Sequence, residues 1–240
     1  MTIQSVFAYT SAGGRPQNED SYALAGSSGT QVLVVADGLG GQGDGKAASA
    51  LAAQQLAQCG ADGCLPGRAR LAEQFRLADQ AIRARQINQW HMKTTAVYLC
   101  LCDDNAVWAH VGDTRLYHFY QGRICAYTLD HSVSQLAVAL GEITHSQIPG
   151  HADRSRLLRA LGTGEAEPDL CGPVRLAPGE HAFLLCTDGF WEAVPEPLME
   201  QTLAQTFSAE EWINRMRAGP EQAGRQGGDN HTAAAVWVRV

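Results

Sequence analysis

The sequence predicts an α+β sandwich, with helices packed on the outer faces of antiparallel sheets. Three observations carry this. Short strand-like runs open the chain, two helical patterns follow with no strand between them, and closely spaced alternating runs come next. Short connections imply antiparallel pairing, and strands grouped apart from helices do not fit the strand-helix-strand alternation of a parallel sheet.

The elements follow in order. Ser5 to Thr10, Ser21 to Leu24 and Gln31 to Ala36 read as strands, separated by the Gly13-Gly14 turn and the GSSG turn at 26–29. Ala47 to Cys59 is an alanine-rich helix. Leu71, Phe75, Ala78 and Ile82 repeat with helical spacing and mark one face of a second helix. Four runs then alternate: TTAVYLCLC, AVWAHVGD, RLYHFYQ and RICAYTL, with Gln121-Gly122 as a turn. Helical patterns return at Val133 to Leu140 and Ser155 to Leu161, and Ala182 to Thr187 reads as a buried strand. Ser208 followed by Glu211 is a capping box opening a further helix. The strand TAAAVWVRV closes the chain.

With 240 residues, 45% of them hydrophobic and 18% charged, the chain is expected to form one domain over 1–240. The N-terminus has neither a basic n-region nor an apolar core, and no run approaches the ~20 apolar residues of a membrane span. A cytoplasmic monomer without membrane attachment is expected. Seven cysteines lack any C-x-x-C pair and read as reduced structural thiols. A net charge of -7 with no basic block excludes a nucleic-acid footprint.

The stretch VVADGLGGQGDGKAAS satisfies two nucleotide patterns. Gly38, Gly40 and Gly43 spell G-x-G-x-x-G, and Gly40, Gly45 and Lys46 spell most of a P-loop. Both readings fail. The two consecutive helices leave no parallel strand, Ala47 stands where a P-loop needs Ser or Thr, and Asp37 would repel phosphate unless a metal intervened. Lys46 is then a solvated residue of a first helical turn.

Aspartates recur at strand edges. Asp37 follows VLVVA, Asp113 follows VWAHVG, Asp188 follows AFLLCT, and Asp229 precedes the last strand. Each alone is an ordinary Asp-Gly or Gly-Asp turn. Strands ending on one side of a sheet would gather them, and clustered carboxylates stay ionised only beside cations. Oxygen ligands suit Mg²⁺ and Mn²⁺. RPQNED adds Arg15, shaped for bidentate phosphate recognition, together with Glu19 and Asp20. Metals plus a phosphate-binding guanidinium are the equipment of metal-assisted phosphoester hydrolysis.

The order RPQNED, VVADGLGG, KTTA, AHVGDTRLY, DHS, LLRALG, LLCTDGFWEAV, GDNHTAAAVWV resembles the protein phosphatase 2C-type, metal-dependent Ser/Thr phosphatases, the PPM family, in their bacterial stand-alone form. The resemblance implies a four-layer αββα sandwich with two Mn²⁺ or Mg²⁺ ions between the sheets and a third, weaker ion beside them. It implies that Asp37 bridges the core ions, with the Gly38 carbonyl on one and Asp188 and Asp229 completing the other. Glu19 and Asp20 would hold metal-bound waters, Asp113 would support the third ion, and Arg15 would bind substrate phosphate. Gly38, Gly40 and Gly41 would let the backbone pass close to metal-bound water. The implied reaction is hydrolysis of phosphoserine or phosphothreonine by a metal-bridging hydroxide. The implied partners are phosphorylated proteins, with a bacterial Ser/Thr kinase opposed. The alternative is a pseudophosphatase that binds phosphoproteins without turnover.

Two departures stand out. Leu39 replaces the histidine of animal members, so the leaving alkoxide is expected to take its proton from metal-bound water. Lys93 replaces a glycine before the two threonines. A flap-like segment, about 131–158, is expected to influence substrate choice. His131, between Asp130 and Ser132, lacks a G-x-S-x-G nucleophile and reads as a structural residue of its turn.

Overall fold

The computed structural model describes residues 1–27, 29–39, 44–86, 92–164, 166–225 and 227–240. Two five-stranded antiparallel sheets form its centre. The first runs β1-β12-β11-β8-β9, from Thr2–Ser11, His231–Arg239, Glu180–Cys186, Arg115–Tyr120 and Arg123–Tyr127. The second runs β10-β7-β6-β3-β2, from Asp169–Arg175, Asn105–Val111, Ala96–Cys102, Thr30–Ala36 and Ser21–Ser27. A short ladder, β4 (Gly38–Leu39) with β5 (Lys93–Thr94), lies beside them.

Strand periodicity creates the layers. In β3, Val32, Val34 and Ala36 face helices α1 (Asp44–Ala57) and α2 (Arg68–Arg83), where Leu71, Phe75, Ala78 and Ile82 supply the expected helical face. Leu33 and Val35 point the other way, into a layer shared with Leu99, Leu101, Phe183, Leu185 and Val236. Beyond the first sheet, Leu184, Ala233 and Ala235 pack on α4 (Asp188–Trp191), α5 (Glu196–Leu203) and α6 (Ala209–Met216). Helix α3 (Val133–Ala139) follows β9, and helix α7 (Ala218–Arg225) precedes the last strand. The architecture is the four-layer αββα sandwich that the resemblance implied. No helix among the described residues is long and apolar enough to cross a membrane.

The structure corrects several local readings. Ser155 to Leu161 is not a helix. Its backbone is committed elsewhere: Val133 N donates to Arg156 O, Leu158 N to His131 O, and Leu161 bridges Thr94. Strand β10 escapes a periodicity search because Gly172-Pro173 interrupts it, an interruption tolerated at the edge position it occupies. The cap at Ser208 is half a capping box. Its hydroxyl accepts from Glu211 N, but the Glu211 carboxylate reaches Phe207 N, one residue earlier than the motif requires. Gln121 and Gly122 both have positive φ, as a tight β8-β9 turn demands. All seven cysteines are free thiols.

Phe183 is fully buried between the sheets. Phe183→Ala is expected to cost about 3–5 kcal/mol of stability in denaturant unfolding. A loss below about 1 kcal/mol would mean that this layer closes over the cavity.

Candidate active site

The carboxylates meet at one end of the sandwich. Asp37 follows β3, Asp113 lies in the β7-β8 turn, Asp188 opens α4 one residue after β11, and Asp229 precedes β12. Antiparallel pairing sets β2's start against β3's end, Ser21 opposite Ala36, and so delivers Glu19 and Asp20 to the same end. The β1-β12 register, Ser11 opposite His231, delivers Arg15. A cleft of about 490 Å³ results, lined by Arg15, Glu19, Asp37, Gly38, Leu39, Ser155, Asp188, Asp229 and Asn230. A larger cavity of about 620 Å³ lies between α2 and the stretch from Gly164 to Pro168, where Glu73 and Arg76 pair with each other. Its lining includes Glu73, Asp79 and Glu167, of which Glu73 is neutralised by Arg76 and Asp79 accepts from the Gly162 and Gly164 amides.

Crowding shows in the electrostatics. Burial raises the Asp37 carboxyl well above its ordinary range, and the neighbouring Asp20, Asp188, Asp113 and Asp229 raise it further. Asp113 is raised by burial and by Asp188, and Asp188 by burial and Asp229. Asp20 is raised to about 7, first by burial, while hydroxyls of Thr232 and Thr187 oppose the shift. Glu19 Oε1 and Asp20 Oδ1 are buried and accept no hydrogen bond. Unpartnered anionic oxygens of this kind fit a hard cation or its bound water.

The backbone around Asp37 is held tightly. Its carbonyl accepts from Thr94 Oγ1 at 2.6 Å and Thr95 N at 2.9 Å, which gives the KTTA motif a clamping role. A Cβ on Gly38 would strike the carbonyls of Gly45 and Glu19, so glycine is required for the close approach of three chain segments. Gly40, Gly41 and Gly43 lie outside the described residues. Lys93 pairs with Leu39 in the β4-β5 ladder.

Other contacts escaped the sequence reading. Lys46 is not a freely solvated lysine: Nζ donates to Asp20 O at 2.6 Å and Ser21 Oγ at 3.2 Å. Ser49 Oγ donates to Glu19 O at 2.5 Å. Asn230 is a complete staple, donating from Nδ2 to Ala12 O and Gln17 O at 2.9 Å and accepting from Glu19 N at 2.8 Å. Arg15 forms a two-pronged pair with Asp229, Nε to Oδ1 at 3.1 Å and Nη2 to Oδ2 at 2.8 Å, with about half of each side chain exposed. Only the GDN tripeptide and the Lys46 position offered any local signal for these.

Beneath the cleft, Arg115 and Asp130 form a bidentate pair at 2.7 Å, each side chain 2% exposed. The guanidinium lies 3.5 Å over the Trp191 ring, and Trp191 Nε1 donates to Asp113 O at 3.0 Å. Arg154 Nε donates to Glu192 Oε1 at 2.8 Å, tying the flap-like segment to the end of α4.

His110, His131 and Asp169 also converge, with potential ligand atoms within 4.8 Å of one another. Burial lowers both histidines, His110 to about 4, so each is a neutral ring with one lone pair. His110 Nε2 donates to Leu129 O at 2.7 Å. His131 Nδ1 accepts from Gly112 N at 3.1 Å, which leaves the ring proton on Nε2, 3.4 Å from Asp169 Oδ2. The His131 lone pair is thus already used, and the rings stack at 4.5 Å and 16° instead of converging on a common ion. This group reads as hydrogen-bonded packing.

The fold and site define a class, and comparison with known proteins agrees. A family model described as protein phosphatase 2C matches residues 12–218, and the chain belongs to that family. Among relatives, the serine/threonine protein phosphatase PstP of Mycobacterium tuberculosis is 31% identical over 229 residues, 92% of this chain. The chain spans only 42% of that relative's length. The serine/threonine phosphatase stp of Listeria welshimeri is 30% identical over 82% of this chain and 81% of its own. The M. tuberculosis PstP structure superposes with a TM-score of 0.85 at 29% identity, covering 100% of both chains. The PstP catalytic domain solved with two manganese ions gives 0.82 at 28% identity over 99% of both.

The raised carboxyls imply a pH-dependent response to metal. A carboxyl whose folded pKa exceeds its unfolded value near 4 holds a proton in the folded state that the unfolded state has lost. That stability is complete below the unfolded pKa and is lost as pH rises through the folded one, about 7 for Asp20. A cation must displace those protons. The Mn²⁺-induced gain in melting temperature over chelated protein is therefore expected to grow from about pH 6 to about pH 8. Taking the difference cancels the opposite contribution of the buried histidines. A gain that shrank with pH would show that these carboxyls do not receive the ion.

Proposed function

We propose that the chain is a metal-dependent phosphatase that hydrolyses phosphoserine and phosphothreonine in protein substrates, with Mn²⁺ or Mg²⁺ as cofactor. The observation that carries this is the gathering of Asp37, Asp188 and Asp229 with Glu19 and Arg15 in the lining of one cleft, with Asp20 and Asp113 buried close enough behind it to act on Asp37. Family membership and the two manganese ions in the PstP catalytic domain support it. A Ser/Thr kinase acting on the same proteins is the expected counterpart.

In this reading Asp37, the Gly38 carbonyl, Asp188 and Asp229 would hold two ions, Asp113 would serve a third, and Glu19 and Asp20 would orient bound water. Bound there, the ions would supply a water acidified enough to attack phosphorus directly and positive charge for the phosphoryl oxygens. The remaining work belongs to the chain. Arg15 is half-exposed at the rim, and its guanidinium can turn from Asp229 toward an incoming phosphate, to which the same planar fork is matched. Leu39 carries no titratable group, so no side chain at that position protonates the leaving alkoxide. Ser155 lines the cleft beside the Arg154-Glu192 contact, which supports a role for the flap-like segment in contacting a peptide that flanks the phosphoresidue.

The deciding experiment measures p-nitrophenyl phosphate and phosphopeptide hydrolysis with Mn²⁺ and after chelation. Activity should vanish on chelation and in Asp37→Asn. Lys46→Ala touches no reacting atom, holding instead the Asp20 carbonyl, and should keep activity within about 10-fold while binding no ATP in either form. Arg15→Ala should lower phosphopeptide turnover about 100-fold, with Mn²⁺ affinity little changed. Phosphopeptide binding without turnover by metal-loaded wild type would instead establish a pseudophosphatase.

A further inference from the structure

Asp113 sits in a buried turn between β7 and β8. Gly112, just before it, has φ +97°, and a Cβ there would run into the Thr95 side chain, so the turn is tight and needs glycine. Thr95 Oγ1 bonds Thr114 Oγ1 within it, and two further side chains bond its backbone. Trp191 donates its indole N–H to the Asp113 carbonyl at 3.0 Å. His131 makes a two-point contact with Gly112: His131 N donates to Gly112 O at 2.9 Å, and Gly112 N donates to His131 Nδ1 at 3.1 Å.

The second of these bonds depends on the side chain. It requires an unprotonated Nδ1 facing the Gly112 amide, and the surroundings enforce this. His110 stacks on the His131 ring at 4.5 Å, and its own Nε2 is anchored to Leu129 O. Asp169 Oδ2 and Arg159 Nη1 each lie 3.4 Å from His131 Nε2, and the two side chains are paired with each other at 2.8 Å. The Gly112 amide can only donate, so Nδ1 is the acceptor and the ring proton sits on Nε2, where the Asp169 carboxylate can receive it. The His110, His131, Asp169 and Arg159 set is therefore a built arrangement ending on the Gly112 amide.

We propose that His131 is a positioning residue for Asp113, acting through its Nδ1 acceptor on Gly112 N–H to fix the carboxylate's approach to Asp37 and Asp188. This rests on the phosphatase reading for its catalytic consequence, though not for its structural one. Partners that orient ligating groups without touching the ion commonly control affinity, and this one would act on the most weakly held ion.

The test compares three full-length variants. His131→Asn places an amide oxygen near the Nδ1 position, where it can accept from Gly112. His131→Gln carries its oxygen farther out, near the Nε2 position. His131→Phe keeps the ring and its stacking on His110 while removing the acceptor. Hydrogen exchange is followed in the segment from Ala106 to Leu116 in chelated protein, alongside melting temperature and Mn²⁺ titrations of p-nitrophenyl phosphate hydrolysis. Phe and Gln should speed exchange at the turn and raise the half-saturating Mn²⁺ concentration about 10-fold, with KM for substrate unchanged, while Asn stays within about 3-fold of wild type. If Phe does not fold, the contrast between Asn and Gln decides. Wild-type behaviour in Phe or Gln would overturn the proposal, as would equal impairment of Asn and Gln. A wild type without Mn²⁺-dependent hydrolysis would refute the phosphatase reading, and the exchange measurement would still decide whether His131 holds the turn.

Discussion

The dominant constraint on this molecule is the repulsion among carboxylates gathered at one end of the sandwich. Burial and mutual charge both disfavour ionisation of Asp37, Asp113 and Asp188, and each group would lower its energy by moving toward water. They are prevented from doing so by attachment to rigid strands. Asp37 directly follows β3, and Asp188 comes one residue after β11; both are interior strands whose apolar residues are buried. The sheet ends define the positions, and the core energy of the sandwich holds them there. A cluster on free loops would relax, whereas this one keeps its charge density.

Around that cluster, nearly every buried polar contact serves to restrain backbone. Asn230, Lys46 and Ser49 fasten the segment carrying Glu19 and Asp20, and Thr94 and Thr95 fasten the Asp37 carbonyl. Thr187 bonds Asp20 across the gap between the two sheets, at 3.0 Å. Hydrogen bonds of this kind contribute modestly to net stability, but they fix geometry where electrostatics would otherwise spread it. The same contacts dispose of the nucleotide patterns in VVADGLGGQGDGKAAS, because the P-loop lysine position is engaged with a carbonyl at the start of β2.

Arg115 and Asp130 show how the cleft connects to the flap-like segment. A buried ion pair has a desolvation cost comparable to its Coulombic gain, so the pair is poor evidence of stability. Its value lies in location. Arg115 opens β8, Asp130 begins the turn into the flap-like segment, and the shared guanidinium lies against Trp191 of the helix that starts at Asp188. Three parts of the site thereby share one rigid contact. Arg154 and Glu192 add a second, more exposed tie between the same segment and α4.

The sequence alone determined the layers and the aspartates that gather at the cleft, because both are local properties. Alternation in VLVVA and the spacing of Leu71, Phe75, Ala78 and Ile82 report burial directly, and an aspartate beside glycine at a strand end can be read from neighbouring residues. Elements without a clean period were missed or misread, as with β10 across Gly172-Pro173 and the extended segment after Ser155. Only the tertiary structure decided the partners. Arg15 lies 214 positions from Asp229, Asp20 lies 167 from Thr187, and Glu19 lies 211 from Asn230. These pairings follow from the order and register of strands in two sheets, and no local periodicity encodes which strand will lie beside which.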